Sequence, residues 1–299
     1  MKIGTRSSPL ALAQAYETKE RLQAATGASA DCFEICKMST RGDEILDRPL
    51  GDIGGKGLFT EEFEAALLNG GIDIAVHSMK DMPVLFPDGL CIDCYLPRED
   101  ARDAFVSLKY KSISELPQGT TVGTSSLRRR AQLLARRPDL QVVEFRGNVQ
   151  TRLKKLGDGV AEATFLACAG LNRLGLSEHA NPIEMDDILP AIAQGAIGIE
   201  RREDDAEMAD ILAKIGCSET ATRLAAERAF LASLDGSCQT PIAGHAILDG
   251  DKITLQGEVI RPDGSEVISD QISGAAKEAA NLGTELANSL RPKMGDDFF

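Results

Sequence analysis

The chain has 299 residues, 43% of them hydrophobic but only 4% aromatic, which predicts roughly two or three domains with aliphatic cores. It has 33 lysine and arginine residues against 46 aspartate and glutamate residues, and the net charge of −13 argues against a general nucleic-acid-binding protein. The sequence contains no run of about 18 apolar residues, so no membrane span is expected. Residues 1–6 lack the apolar run of a secretion signal. We therefore expect a cytoplasmic protein that binds neither nucleic acid nor membranes.

The first two-thirds of the chain alternates between helix and strand patterns. Ser8 and Pro9 predict a helix start, because a capping residue precedes proline in the first turn, and Thr60 is expected to cap a second helix. The predicted helices are Ser8–Ala24, Thr60–Asn69, Leu127–Arg137, Val149–Leu156 and Leu171–Leu174. The predicted strands are Phe33–Met38, Ile72–His77, Leu90–Leu96, Thr121–Gly123, Gln141–Phe145 and Ala163–Ala167. This alternation indicates an α/β fold with parallel sheets covered on both faces.

The last third changes to an α+β pattern. A long amphipathic helix is predicted over Ser218–Leu234 and a closing helix over Ala275–Leu290. Between them, turns rich in aspartate and glycine separate three predicted strands. The strands are Ala243–Leu248, Ile253–Ile260 and Glu266–Ile272. We expect a separate small domain whose boundary falls near residues 215–216.

Cysteines and histidines indicate neither a disulfide framework nor a metal site. The seven cysteines are an odd number, scattered along a chain that is expected to be cytoplasmic. Cys91 and Cys94 have the spacing of redox and zinc pairs, but they lie in a predicted strand, where packing is the better interpretation. None of the three histidines has a histidine partner at ligand spacing.

One segment is basic within an otherwise acidic chain. Residues 98–158 contain 13 lysine and arginine residues against 7 aspartate and glutamate residues, whereas the remainder contains 20 against 39. The basic segment lacks the interleaved aromatic residues that stack on bases. It therefore suits small anionic ligands better than nucleic acid.

Basic and hydroxyl side chains, with one carboxylate, follow several of the predicted strands. Ligands of open α/β sheets bind beyond the carboxyl ends of strands, so these residues are candidates for a binding site. They are Lys80, Asp81, Ser126, Arg128, Arg129, Arg130, Arg146, Arg152 and Arg173. Because arginine pairs with carboxylates through two parallel hydrogen bonds, the pattern predicts a cleft that binds a polycarboxylate. For any single arginine, the alternative is a solvated surface position.

A glycine-rich segment, residues 41–57, is interpreted as a lid loop. Its sequence Gly54-Gly55-Lys56-Gly57 resembles a phosphate-binding loop, but Gly57 stands where such a loop needs serine or threonine.

Seven motifs, in order along the chain, match one protein family. They are Thr5-Arg6-Ser7-Ser8-Pro9-Leu10-Ala11, Thr40-Arg41-Gly42-Asp43, Gly54-Gly55-Lys56-Gly57-Leu58-Phe59, Asp73-Ile74-Ala75-Val76-His77-Ser78-Met79-Lys80-Asp81, Gly123-Thr124-Ser125-Ser126-Leu127-Arg128-Arg129, Arg146-Gly147-Asn148-Val149 and Gly236-Ser237-Cys238-Gln239. On these residues, the chain resembles the porphobilinogen deaminase family, also called hydroxymethylbilane synthases. The resemblance covers nearly the whole chain.

The resemblance implies two doubly wound, periplasmic-binding-protein-like lobes around a cleft, and a small α+β C-terminal domain. Domain 1 would comprise residues 1–97 and 196–215, domain 2 residues 98–195, and domain 3 residues 216–299. It also implies a monomeric transferase of tetrapyrrole (haem and porphyrin) biosynthesis. Such an enzyme joins four porphobilinogen molecules head to tail, releasing ammonia, and then releases linear hydroxymethylbilane with water.

The same resemblance implies a dipyrromethane cofactor, covalently linked to Cys238, on which the product chain is primed. Asp81 matches the family's catalytic carboxylate. The residues implied to bind the cofactor are Cys238, Lys80, Asp81, Ser126, Arg128, Arg129 and Arg146. Those implied to bind substrate are Arg6, Ser8, Lys56, Arg152 and Arg173. Without the resemblance, Cys238 would rank level with the other six cysteines.

Two positions depart from the family's usual pattern. Many members have lysine where this chain has Asp52, so a contact from that lid position to substrate carboxylates is in doubt. Ala193 stands where glycine is usual, in an expected hinge strand, and this change is expected to stiffen the connection between lobes.

Two other interpretations come from different functional classes. One is a non-catalytic, two-lobed receptor for anions, against which the absence of a signal peptide and of a helix-turn-helix segment weighs. The other is an RNA-binding protein that uses the arginines at positions 128–130, which the acidic overall charge disfavours.

Overall fold

Thirteen strands and eight α-helices form within residues 1–40, 42, 60–237, 240–295 and 297–299, the part of the chain that the computed structural model describes. The strands are β1 (Lys2–Arg6), β2 (Glu34–Met38), β3 (Ile74–Ser78), β4 (Leu90–Tyr95), β5 (Asp103–Ser107), β6 (Thr121–Gly123), β7 (Gln141–Val143), β8 (Ala163–Ala167), β9 (Asn181–Pro182), β10 (Ile197–Arg202), β11 (Ile242–Asp249), β12 (Lys252–Ile260) and β13 (Val267–Ala275). The helices are α1 (Pro9–Thr26), α2 (Glu61–Leu68), α3 (Leu127–Arg136), α4 (Val149–Gly157), α5 (Cys168–Arg173), α6 (Ala206–Ala213), α7 (Ser218–Ser233) and α8 (Ala279–Leu290).

Contacts between residues divide the chain into two units. The first comprises Met1–Arg98 and Ala196–Ala221, and the second comprises Glu99–Gly195 and Thr222–Phe299. The second unit thus contains both the basic segment and the C-terminal α+β segment. The finer division into three domains stays a prediction.

The first unit is built on a five-stranded sheet of order β2-β1-β3-β10-β4. One face is covered by α1 and α6, whose Leu22 and Leu212 pack with Ile3 and Ile199 of the sheet. The other face is covered by α2, whose Phe63 joins a second buried cluster. Burying a leucine or phenylalanine side chain contributes roughly 1.5–3 kcal/mol, so both faces stabilise the sheet.

The second unit contains a sheet with an equivalent order, β7-β6-β8-β5-β9. Leu133 of α3 packs with Phe105 on one face. Leu156 of α4 and Leu171 of α5 pack with Val106 on the other. Helices therefore cover both faces of both sheets, and the predicted α/β class with two doubly wound lobes is confirmed.

The expectation of parallel sheets is wrong, because each sheet is mixed. β10 runs antiparallel to β3 and β4, and β5 runs antiparallel to β8 and β9. β5 and β10 are each the first strand formed after the chain passes from one sheet to the other. An apolar run reveals a buried strand but not its direction, and the sequence patterns had predicted neither strand.

The C-terminal segment forms an antiparallel sheet of order β11-β12-β13, and the predicted small α+β fold is confirmed. Helix α8 packs on β12 and β13. In α7, Glu227 is fully buried and its carboxylate accepts the backbone N–H groups of Ala193 (2.7 Å) and Ala246 (2.9 Å). These two hydrogen bonds anchor α7 to the turn before β10 and to β11.

Two local expectations need correction. Ala193 does not lie in a hinge strand but in the turn before β10, where its φ of +60° falls in the left-handed region that favours glycine. Thr60 occupies the N-cap position of α2, but its side chain makes no capping hydrogen bond. The backbone geometry at Ala193 gives a physical reason for the glycine that is usual there.

Candidate functional site

The carboxyl ends of β1 and β3 lie side by side in the first sheet. The two strands are parallel, with Gly4 opposite Ala75, and they end at Arg6 and Ser78. Helix α1 starts just beyond β1, where the Ser8 hydroxyl accepts the Ala11 N–H at 3.3 Å. The predicted helix start at Ser8 and Pro9 is confirmed.

A pocket opens at this edge of the sheet. It is lined by Arg6, Ser8, Leu10, Ala11, Gln14, Val76, His77, Ser78, Asp81 and Met82. Asp81 is exposed and ends the 3-10 turn Met79–Asp81, which directly follows β3. The structure thus brings together three of the predicted site residues, Arg6, Ser8 and Asp81. Lys80, which is half-buried in the same turn, is not among the lining residues.

Two polar pairs support the wall of this pocket. The side chains of Gln14 and Ser78 exchange hydrogen bonds of 2.8 and 3.1 Å. Nε2 of the buried His77 ring lies 2.9 Å from Oε2 of Glu200, a fully buried residue of β10. Phe63 packs edge-on against the imidazole ring at 5.4 Å. Polar contacts therefore join the elements that line the pocket, and the His77–Glu200 contact is buried.

Sequence reasoning missed the pairing of His77 with Glu200. The two residues are 123 positions apart, and β10 was not predicted. The available signal was a glutamate directly after the apolar residues 196–199. A carboxylate that continues a buried strand needs a partner, because it is rarely fully buried without one.

The carboxyl ends of β6, β7 and β8 meet at one edge of the second sheet, because the three strands are parallel. Beyond β6, Ser126 caps α3 by accepting the Arg129 N–H at 3.4 Å. Beyond β7, Arg146 is half-buried, and Arg152 donates from Nε to the Gly147 carbonyl at 2.9 Å. Beyond β8, Arg173 donates to the Gly195 carbonyl at 3.1 Å. The structure therefore groups these predicted site residues at one edge.

Arg128 and Arg129 are more deeply placed than the other arginines, being only 4% and 5% exposed. Both donate to Asp103, the first residue of β5: Arg128 from Nη1 at 2.7 Å, and Arg129 from Nε at 3.0 Å and Nη2 at 2.6 Å. Arg128 also donates to the Leu189 carbonyl, and Arg129 to the Phe165 carbonyl. One carboxylate is thus shared by two guanidinium groups.

The electrostatics of this cluster favour ionised Asp103. Burial alone would raise the pKa of the Asp103 carboxyl group, but the charges and hydrogen bonds of Arg128 and Arg129 outweigh burial and hold its pKa well below the usual range. Gln194 supplies a neutral donor to Asp103 at 3.0 Å. The Asp103 side chain is fully buried.

A second buried carboxylate lies near the same arginines but behaves oppositely. Glu258 of β12 is only 6% exposed. Burial raises its pKa, although the charges of Arg136 and Arg128 partly oppose this. Unlike Asp103, Glu258 makes no hydrogen bond through Oε1 to any described residue.

Two candidate site residues and one position that departs from the family pattern lie outside the described part of the chain. They are Asp52, Lys56 and Cys238. The expected lid, residues 41–57, also falls outside it except for residue 42. Within the described ranges, no group of three or more histidine, cysteine, aspartate or glutamate residues could hold a metal ion. No helix among them is long and apolar enough to cross a membrane.

Comparisons with known proteins agree over almost the whole chain. The family model described as "Porphobilinogen deaminase, dipyromethane cofactor binding domain" matches residues 1–210. The chain belongs to the porphobilinogen deaminase family. A second model of this family, its C-terminal domain, matches residues 221–292.

Curated members of the family align with this chain from end to end. The porphobilinogen deaminase of Paracoccus denitrificans is 65% identical over 300 residues, covering 100% of this chain and 96% of that protein. The one from Nitrobacter winogradskyi is 53% identical, covering 99% and 94%. Among solved structures, the methionine binding protein MetQ aligns with 74% of this chain and 91% of that chain, at 15% identity and a TM-score of 0.44.

The cofactor of this family is a dipyrromethane, and the second sheet offers groups that suit its carboxylates. Arg128 Nε is buried and has no hydrogen-bond partner among the described residues. A buried donor without a partner is unfavourable, so a ligand carboxylate at this edge would satisfy it. The residues present therefore fit the group.

Proposed function

We propose that this enzyme is a hydroxymethylbilane synthase in which Asp81 is the catalytic carboxylate and Cys238 carries the dipyrromethane cofactor. It joins four porphobilinogen molecules head to tail and releases ammonia in haem biosynthesis. The observation that carries the proposal is the match to the cofactor-binding domain of the family, because residues 1–210 contain both the Asp81 pocket and the arginines of the second sheet.

Asp81 would act on positive charge that develops during the reaction. When the protonated aminomethyl group of porphobilinogen leaves as ammonia, the remaining pyrrole unit is a cation. A carbon of the acceptor pyrrole then attacks the methylene carbon of this cation and forms the new carbon–carbon bond. The same acceptor carbon afterwards loses its proton. A fixed carboxylate stabilises the cation and can accept that proton. The exposure of Asp81 in the pocket suits both tasks.

Basic side chains would bind the acetate and propionate groups of the pyrroles. Near Asp81, this role falls to Arg6, with Ser8 as a hydrogen-bond donor and Lys80 adjacent. At the second sheet, it falls to Arg128, Arg129, Arg146, Arg152 and Arg173, with Ser126. Lys56 is assigned to the substrate by resemblance alone. When bound, the cofactor supplies the pyrrole carbon on which chain growth starts.

Intact-mass measurement tests the proposal directly. Wild-type protein from cells that make porphobilinogen should exceed its sequence mass by one dipyrromethane unit. Cys238→Ser should lose this increment, whereas the matched control Cys91→Ser, at a half-buried cysteine of β4, should keep it. The unloaded variant should also melt at a lower temperature, because a group held only by the native state stabilises that state. An unmodified wild-type mass would refute the proposal.

Location and assembly remain predictions. The enzyme is expected to act in the cytoplasm as a monomer on a small-molecule substrate, without nucleic acid or membrane partners. Composition and net charge support this expectation. Sedimentation of the loaded protein at several concentrations would measure its oligomeric state.

A further inference from the structure

We propose that Asp103 is a positioning residue, whose buried carboxylate fixes Arg128 and Arg129 so that their remaining donors face a carboxylate of the ligand. The proposal rests on the proposed function, in which these two arginines bind the cofactor. It adds a residue that carries no charge complementary to the ligand and that acts only through its two neighbours.

The direction of β5 places Asp103 where it can do this. β5 runs antiparallel to β8, and Asp103 lies opposite Ala167, the last residue of β8. The start of β5 therefore coincides with the edge at which β6 and β8 end. The Asp103 backbone is anchored as well, since its carbonyl accepts the Ile183 N–H at 2.8 Å. The carboxylate thus has a fixed origin at the basic edge.

The observed hydrogen bonds use some of the five N–H groups of each guanidinium group on the protein. Arg129 uses Nε and Nη2 on Asp103 and Nη1 on the Phe165 carbonyl. Arg128 uses Nη1 on both Asp103 and the Leu189 carbonyl, while its Nε is buried without a partner among the described residues. With one side of each planar group held, the orientation of the other side is set in advance. Preorganised donors lose less freedom when a ligand binds.

The cluster of Asp103, Arg128 and Arg129 has a net positive charge, which favours the binding of an anion. One carboxylate faces two guanidinium groups, so Asp103, Arg128 and Arg129 together keep one positive charge. Gln194 adds a donor to Asp103 without changing that charge. Glu258 is the second acid that faces Arg128, and Arg136 balances it. A ligand carboxylate would neutralise the remaining positive charge.

Positioning and simple charge compensation predict opposite results for Asp103→Asn. The substitution keeps the shape of the side chain but raises the net positive charge of the cluster. If Asp103 only compensated charge, the folded variant would bind an anionic ligand at least as tightly as the wild type. If Asp103 positions the arginines, the folded variant binds the ligand more weakly despite its greater positive charge.

The experiment compares full-length wild type, Asp103→Asn, Asp103→Glu and the control Asp139→Asn, all made in cells that supply porphobilinogen. Asp139 also pairs with an arginine, Arg137, in the same unit, but both side chains are partly exposed. The fraction of protein carrying the dipyrromethane mass is measured, and then KM and kcat of the loaded fraction. Folding is verified by circular dichroism and melting temperature.

We expect Asp103→Asn to load a smaller fraction and to show a KM raised about tenfold or more, the range for a lost charge-assisted hydrogen bond. Asp103→Glu, which keeps the charge, should recover part of both losses, and Asp139→Asn should match the wild type. A folded Asp103→Asn protein with normal loading and a KM within twofold of wild type, or below it, overturns the inference. A wild type without the added mass would instead refute the proposed function.

Gln194→Met keeps the inference testable if no Asp103 variant folds. This change removes the neutral donor to Asp103 and leaves every charge in place. Positioning predicts a smaller loss of loading and a smaller rise in KM in the same direction. Unchanged loading and KM in folded Gln194→Met would overturn the inference in that case.

Discussion

The two sheets have equivalent strand orders but place a carboxylate differently at their carboxyl edges. At the edge of the first sheet, the exposed Asp81 lines a pocket that is also lined by His77, whose pairing with Glu200 is buried. At the edge of the second sheet, the carboxylate is that of Asp103, which is buried and forms ion pairs with the buried Arg128 and Arg129. Under the proposed function, the exposed carboxylate acts on the cation of the reaction and the buried arginines hold the cofactor.

Under the proposed function, this difference separates the catalytic carboxylate from the arginines that hold the cofactor. A carboxylate that must stabilise a transient cation needs access to the reacting atoms, whereas arginines that hold carboxylates work better when partly desolvated and preorganised. Four predictions, in order of decreasing effect, test the contrast.

The largest effect is expected from Asp81→Asn in the first sheet's pocket. The change keeps size and hydrogen bonding but removes the charge that faces the cation. Losing one preorganised electrostatic group lowers turnover by about 10²–10³-fold, and the lost proton transfer overlaps with this. Turnover of the fully loaded variant should therefore fall at least about 100-fold, while its melting temperature stays near that of wild type.

Two further variants show whether charge is the operative property of Asp81. Asp81→Glu displaces the carboxylate but keeps it, and should retain more activity than Asp81→Asn. Asp88→Asn, at an exposed aspartate in the loop that follows, should be as active as wild type. If glutamate restores no more activity than asparagine, the electrostatic role of Asp81 is wrong.

Sequence reasoning located the parts of both sites that lie at the ends of parallel strands. The predicted strands Thr121–Gly123 and Ala163–Ala167 match β6 and β8 in both bounds, and the side chains that follow them lie at one edge, as expected. The same reasoning found Asp81 just beyond β3.

The residues that it missed belong to the antiparallel strands. Asp103 starts β5 and Glu200 lies within β10, and neither position follows a strand end. A search of strand ends therefore passes over both. Their partners, Arg128 and His77, are 25 and 123 residues away in sequence, and no local pattern predicts such pairing. The depth of Arg128 and Arg129 could not be predicted without Asp103, because a buried arginine needs a partner.

The second prediction concerns the half-buried arginines of the second sheet. Replacing Arg146 or Arg173 with leucine removes a charge-assisted contact to a ligand carboxylate, worth roughly 1.5–3 kcal/mol. The KM for porphobilinogen should rise about 10–100-fold. Because the product chain grows, each variant should also stall at its own length, which mass spectra under limiting substrate would record. Arg130→Leu, exposed on α3, serves as the control and should give the wild-type pattern.

The third prediction uses pH to separate two of the buried carboxylates of the second unit, Asp103 and Glu258. The pKa of Asp103 is lowered in the folded state, so below its unfolded value of about 3.9 the unfolded chain takes up a proton that the folded chain does not. Asp103 therefore contributes stability that is lost as the pH falls. The slope is at most one proton, about 1.4 kcal/mol per pH unit. Urea unfolding of Asp103→Asn should show a shallower loss of stability below about pH 4 than wild type.

Glu258 should show the reverse dependence. Burial raises its pKa, so its contribution is most favourable at low pH and is lost as the pH rises through its folded pKa. Glu258→Gln should thus be more stable than wild type at neutral pH, with the advantage shrinking as the solution is acidified. Equal pH dependence in both variants would mean that the two carboxylates do not differ in environment.

The smallest effect is expected in the turn through which the chain leaves the second sheet toward β10. Ala193 has a φ of +60°, and its N–H donates to the buried Glu227 carboxylate at 2.7 Å, which fixes that conformation. A left-handed conformation is unfavourable for alanine by about 1–2 kcal/mol, whereas glycine adopts it freely but loses more entropy on folding, about 0.5–1 kcal/mol. Ala193→Gly should therefore stabilise the protein by up to about 1 kcal/mol and raise its melting temperature by roughly 2–4 °C.

Ala191→Gly, at a residue of the same segment without a positive φ, should lower the melting temperature instead, because there glycine only adds entropy to the unfolded chain. If both variants melt below wild type, the strain at Ala193 is smaller than the packing that its methyl group provides.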